Sequence, residues 1–126
     1  MLLFKKKYQV AIRAREKTQT IRLWKVCRMR AGQRSYIPGA GYIRVLSVDP
    51  VEVDSLTDAD ARPDGFVTAE ELRRELNTLY GAELAAGYRA YRIRFELFSD
   101  EEQAAAVAER KAKKAALAAA ATQSKD

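Results

Sequence analysis

Residues 88–98 alternate without a break, with Tyr91, Ile93, Phe95 and Leu97 on one side and Arg92, Arg94 and Glu96 on the other. Side chains of an extended chain point to opposite faces in turn, so a period of two predicts a half-buried β-strand. A helix would bring its apolar positions back every three or four residues instead. Upstream the period changes to that second kind. Thr68 and Glu71 stand at the spacing of a capping box, and Leu72, Leu76 and Leu79 follow four and three residues apart. A helix with one apolar face is therefore expected from residue 69, ending at Tyr80-Gly81.

The rest of the chain is read against these two elements. Leu2-Leu3-Phe4 suggests a short buried strand or a strand start. Residues 6–15 carry Tyr8, Ala11, Ile12 and Ala14 near helical spacing, which predicts a short amphipathic helix. Residues 17–24 read as a strand, residues 26–31 are basic with no clear period and close at Gly32, and residues 34–37 can be a strand before the turn Pro38-Gly39-Ala40-Gly41. Residues 42–53 are rich in β-branched groups, and Pro50 within them argues for a bulge or a sheet edge. Residues 55–61 begin with capping chemistry and can form a short helix, followed by a turn at Arg62-Pro63-Asp64-Gly65.

From Ser99 the composition shifts. Ser99 and Glu102 form another capping box, acids precede Lys111, Lys113 and Lys114 as the helix dipole prefers, and alanine dominates residues 103–121. Alanine propensity sustains such a helix but cannot build a core. Residues 1–98 are expected as one domain, and residues 99–126 as an alanine- and lysine-rich helical extension with a frayed end from about Thr122. The extension is either solvated or a basic arm for RNA or a protein partner.

Lys17-Thr18-Gln19-Thr20-Ile21-Arg22 carries the densest chemistry. In a strand Thr18, Thr20 and Arg22 share one face and Gln19, Ile21 and Leu23 the other, with side chains two residues apart separated by about 6 to 7 Å. A hydroxyl and a guanidinium so placed can grip a small polar ligand or part of a nucleotide. Lys17 joins them only if the chain bends at the strand start. The alternative is an amphipathic strand with a polar outer face.

Charge narrows the partners. Of 23 Lys/Arg, twelve lie in residues 1–44 against the single acid Glu16, while residues 45–88 hold ten Asp/Glu against three arginines. A basic segment with interleaved Tyr8, Trp24, Tyr36 and Tyr42 is the pattern expected for nucleic acid, the cations meeting phosphates and the rings meeting unstacked bases. The competing reading spreads these charges over a solvated surface and pairs them with the acidic middle. There is no histidine, and Cys27 is the single cysteine, which argues against a zinc site, a disulfide framework and every histidine-based triad. No cofactor or metal is expected, and Cys27 has no visible catalytic partner. No run approaches a membrane span, and Met1-Leu2-Leu3-Phe4 is too short for a signal core, so a cytoplasmic protein is expected.

Taken in order, Phe4, Tyr8, Ile12, Lys17-Thr18-x-Thr20-x-Arg22, Gly32, Asp64-Gly65-Phe66, Glu70-Glu71-Leu72 and Tyr91-x-Ile93-x-Phe95-x-Leu97 resemble the ASCH domain family over about residues 2–98. The resemblance implies an α+β fold: a small PUA-like β-barrel with flanking short helices, to which the C-terminal helical extension is added. It also implies a basic cleft beside the KTQTIR strand for RNA or a modified nucleoside. Lys17, Thr18, Thr20, Arg22, Trp24, Lys25 and Tyr36 would contact the ligand there. Some small bacterial members are amidohydrolases that deacetylate acetylated cytidine. Carried over, Lys17 becomes the base, Thr20 the nucleophile and Asp64 the proton shuttle; other members bind or cleave RNA, and the function expected first is an RNA- or nucleotide-binding module, with the amidohydrolase as the alternative and a ribonuclease behind both. Three departures matter, one of them being Leu23-Trp24-Lys25 in place of the family's acidic or small residues after the motif. The family's glycine just before the motif lysine is replaced by Arg15-Glu16, so the turn must be made without glycine. The usual Glu-Gly-Phe is Asp64-Gly65-Phe66, whose acid is shorter by one methylene.

Overall fold

The computed structural model describes residues 1–123. Its elements run α1 (Lys6–Arg13), β1 (Gln19–Trp24), β2 (Arg34–Ile37), β3 (Gly41–Val51), a 3-10 turn (Val53–Ser55), α2 (Asp58–Ala61), a 3-10 turn (Arg62–Asp64), α3 (Ala69–Ala85), β4 (Arg89–Leu97) and α4 (Asp100–Gln123). The strands make one curled antiparallel half-barrel in the order β1-β4-β3-β2, with helices on its flanks. The alternating segment is thus a central strand, paired with β1 on one side and β3 on the other. No helix among the described residues is long and apolar enough to cross a membrane.

Each face of the sheet carries its own core. Ile21, Leu23 and Ala90 pack with Leu56, Ala61, Leu72 and Leu76 beneath α2 and α3. Phe95, Ile37 and Ile43 pack with Leu2 and Ile12 beneath α1 and the N-terminal segment. Leu2-Leu3-Phe4 is not a strand; it makes one backbone–backbone bond to the sheet, from the Leu2 N–H to the Tyr36 carbonyl at 3.1 Å. The fit of Pro50 comes from topology. β2 pairs with β3 over residues 41–44, so at Pro50 β3 has a partner on one side alone, and the missing N–H costs no ladder bond. The bulge itself falls earlier, between Val45 and Ser47, and turns Leu46 outward.

Two helices differ from expectation at their ends. Thr68 Oγ1 accepts from the Glu71 N–H at 3.2 Å, but the Glu71 carboxylate reaches the Val67 N–H, so half of the capping box forms. α3 does not stop at Gly81; Tyr80 leaves helical geometry (φ −129°, ψ 25°) and the chain resumes to Ala85. In α4 the buried group is Ala106, packed on Tyr42 and Phe98, while Val107 and Leu117 are exposed. Its start is held by Gln103, which bonds both backbone groups of Tyr42 at 2.9 and 3.0 Å, and by the Arg44 pair with Glu102 at 2.7 Å. The helix continues through Thr122 to Gln123, and the frayed end expected beyond it lies outside the described residues.

Candidate functional site

The α1–β1 connection brings Lys17 to the strand start. Arg15 adopts a left-handed conformation (φ 62°), the turn that glycine would make most cheaply, and the Glu16 and Lys17 N–H groups both donate back to Ala11 O at 3.0 and 3.2 Å. The Arg15 guanidinium compensates by donating to the carbonyls of Leu97 and Phe98 at 2.8 and 3.2 Å. Across from it, the 3-10 turn of Arg62–Asp64 ends on left-handed Gly65 (φ 98°), and the Thr18 N–H binds Pro63 O at 2.8 Å. That one backbone bond docks the acid-bearing turn against the start of β1.

Lys17 and Asp64 consequently meet below the surface, 3% and 4% exposed. Lys17 Nζ donates to Asp64 Oδ1 at 2.7 Å and to the Asp64 carbonyl at 2.5 Å. Gln19 holds the second carboxylate oxygen, donating to Asp64 Oδ2 at 3.1 Å and to Asp60 O at 3.0 Å. The shorter aspartate therefore reaches the lysine. The ammonium also lies 5.1 Å from the ring centre of Tyr8, 5.8 Å from Phe4 and 6.0 Å from Phe66, within cation–π range of all three. Burial pushes the Lys17 pKa down, the Asp64 charge pulls it back up, and the balance leaves it below its ordinary value.

Thr20 and Arg22 share a face of β1 as the alternation predicts, and Arg22 Nε donates to Thr20 Oγ1 at 3.2 Å. Arg22 Nη2 donates to Leu3 O at 2.8 Å, and the guanidinium lies 4.6 Å from the Phe4 ring centre. All four of Lys17, Thr20, Arg22 and Asp64 line one cavity of about 350 Å³ between β1, α3 and the N-terminal segment. The other expected ligand contacts lie elsewhere. Thr18 contributes its backbone, its side chain being exposed; Trp24 packs on Tyr91 at 5.7 Å, Lys25 is exposed, and Tyr36 packs on Tyr42 at 5.0 Å.

Tyr8, Phe66, Glu75 and Tyr80 also line the wall; of these, Glu75 was not named in the sequence at all, and Phe66 and Tyr80 were not named as ligand contacts. Glu75 had a readable signal, since it sits between Leu72 and Leu76 on the apolar stripe of α3. Burial raises its carboxyl, but Lys5, bonded at 3.2 Å, outweighs this and holds the pKa below the usual range. The Tyr8 hydroxyl is buried beside the Glu75 carboxylate. Burial first, then the Glu75 carboxylate, pushes its pKa up to about 12, so it is a neutral donor at physiological pH. The cavity thus combines aromatic walls, one neutral phenol beside a carboxylate, a hydroxyl already accepting from a guanidinium, and a buried amine–acid pair.

No family model matches the chain, and no curated protein does. Solved structures share its fold, two of them as follows. Protein EF3133 from Enterococcus faecalis V583, of the family DUF984, has a TM-score of 0.62 at 17% identity over 73% of this chain and 67% of that one. The hypothetical protein PH0355 has a TM-score of 0.65 at 17% identity over 76% of this chain and 95% of that one. At such identity the likeness is one of fold alone.

Proposed function

We propose that this half-barrel is of the ASCH, PUA-like kind, and that its cavity takes a small acylated nucleoside of the acetylcytidine type and cleaves the amide. The carrying observation is that Lys17, Thr20 and Arg22 of one stretch and Asp64 of another, more than forty residues away, line the same hollow. Its volume of about 350 Å³ suits one nucleoside, at the lower end of the roughly 300–1,000 Å³ typical of small-molecule sites.

A threonine hydroxyl needs an adjacent base before it attacks a carbonyl. In a buried pair the neutral form competes with the ionic one, because burial penalises both charges. In the proposed reaction a proton first passes from Lys17 Nζ to Asp64 Oδ1 along their 2.7 Å bond. Neutral Lys17 then takes the Thr20 proton as Oγ1 forms a bond to the acetyl carbon, and Arg22 balances the charge growing on the carbonyl oxygen. The C–N bond breaks, Lys17 returns the proton to the leaving nitrogen, and water releases acetate from the Thr20 ester. Because Arg22 Nε donates to Thr20 Oγ1, the threonine proton is left free to be given away. Purified protein mixed with acetylated cytidine is expected to yield cytidine and acetate by chromatography. No product at enzyme excess would remove this reading.

A second reading, an RNA- or nucleotide-binding module, is favoured by the net charge of +6 and by the twelve cations of residues 1–44. The cavity itself supports it less well. Lys5 and Lys17 are already paired with Glu75 and Asp64, which leaves Arg22 as its one cation without a carboxylate among the described residues.

A further inference from the structure

β1 is an edge strand, and its free edge meets the cavity. The Phe95 N–H donates to Thr18 O at 3.0 Å, which sets the phase of the ladder: Thr20, Arg22 and Trp24 are hydrogen-bonded partners of Ile93, Tyr91 and Arg89. Gln19, Ile21 and Leu23 occupy the alternate positions, whose backbone groups point away from β4. No other backbone or side-chain group among the described residues takes the Ile21 N–H or C=O, although Ile21 is 3% exposed. A buried peptide donor and acceptor left unpaired costs free energy comparable to a lost hydrogen bond. The cavity meets Thr20 and Arg22 from one face of β1 and Ile21 from the other, with Leu72 and Leu76 behind. A hollow that touches both faces of a strand lies against its edge, where the Ile21 peptide groups are aimed.

We propose that the Ile21 backbone is the reading edge of this site. Its N–H donates to, and its C=O accepts from, a planar ligand carrying an acceptor and an N–H donor side by side. A cytosine-type ring presents such an edge through its ring nitrogen and exocyclic N–H, and a cyclic cis amide presents it through C=O and N–H. This rests on the proposed nucleoside site and names the part of the ligand it recognises.

The test is a titration of ¹⁵N-labelled protein with cytidine and with 2-pyrrolidinone, each run beside its donor-blocked counterpart, N4,N4-dimethylcytidine and N-methylpyrrolidinone. The Ile21 N–H is expected to shift saturably downfield and to exchange more slowly with solvent, the Leu23 N–H to do neither, and the blocked compounds to bind about tenfold more weakly. Replacing the amide N–H of residue 21 by an ester oxygen through ligation should weaken cytidine binding about tenfold. The same replacement at residue 23 should leave it unchanged. Equal affinity of blocked and unblocked compounds, saturation with Ile21 unmoved, or no probe reaching Ile21 overturns the inference. An Ile21 shift without turnover of acetylated cytidine upholds it and counts against the deacylation; turnover with Ile21 unmoved does the reverse.

Discussion

Lys17 and Asp64 form a buried ion pair on which both the proposed chemistry and the local stability rest. Removing one member of a buried ion pair strands the other charge, which typically costs about 3–5 kcal/mol, whereas replacing both by apolar groups is often neutral. Lys17→Met is therefore expected to destabilise by about 3 kcal/mol or more, and Lys17→Met with Asp64→Leu by clearly less, measured by urea unfolding. Asp64→Asn removes the charge that holds the ammonium protonated, so any rising limb of the deacylation rate against pH should move to lower pH while kcat falls. Thr20→Ala should abolish turnover with the unfolding midpoint nearly unchanged. Tyr8 gives a separate alkaline signature. Its folded pKa of about 12 exceeds the unfolded value of 10.0, so its contribution to stability is complete below pH 10 and is lost as pH rises towards 12. Tyr8→Phe should flatten that loss in denaturation midpoints taken across this range.

At the scale of elements, periodicity located the strands and helices well because each buries one face, and local spacing reports a face directly. Thr20 and Arg22 were legible for the same reason, through alternation in β1. Boundaries were less legible where a tertiary partner overrides local chemistry. Gly81 does not end α3, because Leu84 beyond it packs into the core under α2 and α3. The α1–β1 turn shows the balance in one residue. Arg15 bears left-handed strain but its guanidinium ties down the end of β4. Arg15→Ala loses the tie and keeps the strain, while Arg15→Gly loses the tie and relieves it. Thermal unfolding should find the glycine variant more stable than the alanine variant by about 1 kcal/mol.

For the whole molecule, sequence order and spatial order of charge diverge. Lys5 and Lys17 pair with the acidic middle segment, and Arg34 and Arg44 with Glu109, Glu96 and Glu102 of the C-terminal part. If RNA binds the remaining cations, its affinity should fall steeply between 50 and 200 mM salt, by roughly tenfold or more for each few phosphates contacted, in filter-binding or fluorescence assays. Affinity insensitive to salt would rule that mode out. The amino-acid sequence by itself determined several properties: a chain without histidine, a strongly basic first third, an alanine helix with little to bury, and strands and helices marked by period two and period near four. What only the tertiary structure decided is which side chains share a cavity. Lys17, Asp64, Glu75 and Tyr8 lie far apart in the chain, and Trp24 and Tyr36 lie on the sheet without reaching the hollow. Periodicity is a property of neighbours along the chain, whereas convergence depends on the curl of the sheet, the Thr18–Pro63 backbone bond and the docking of α3 on β1, which act between residues that local spacing does not relate.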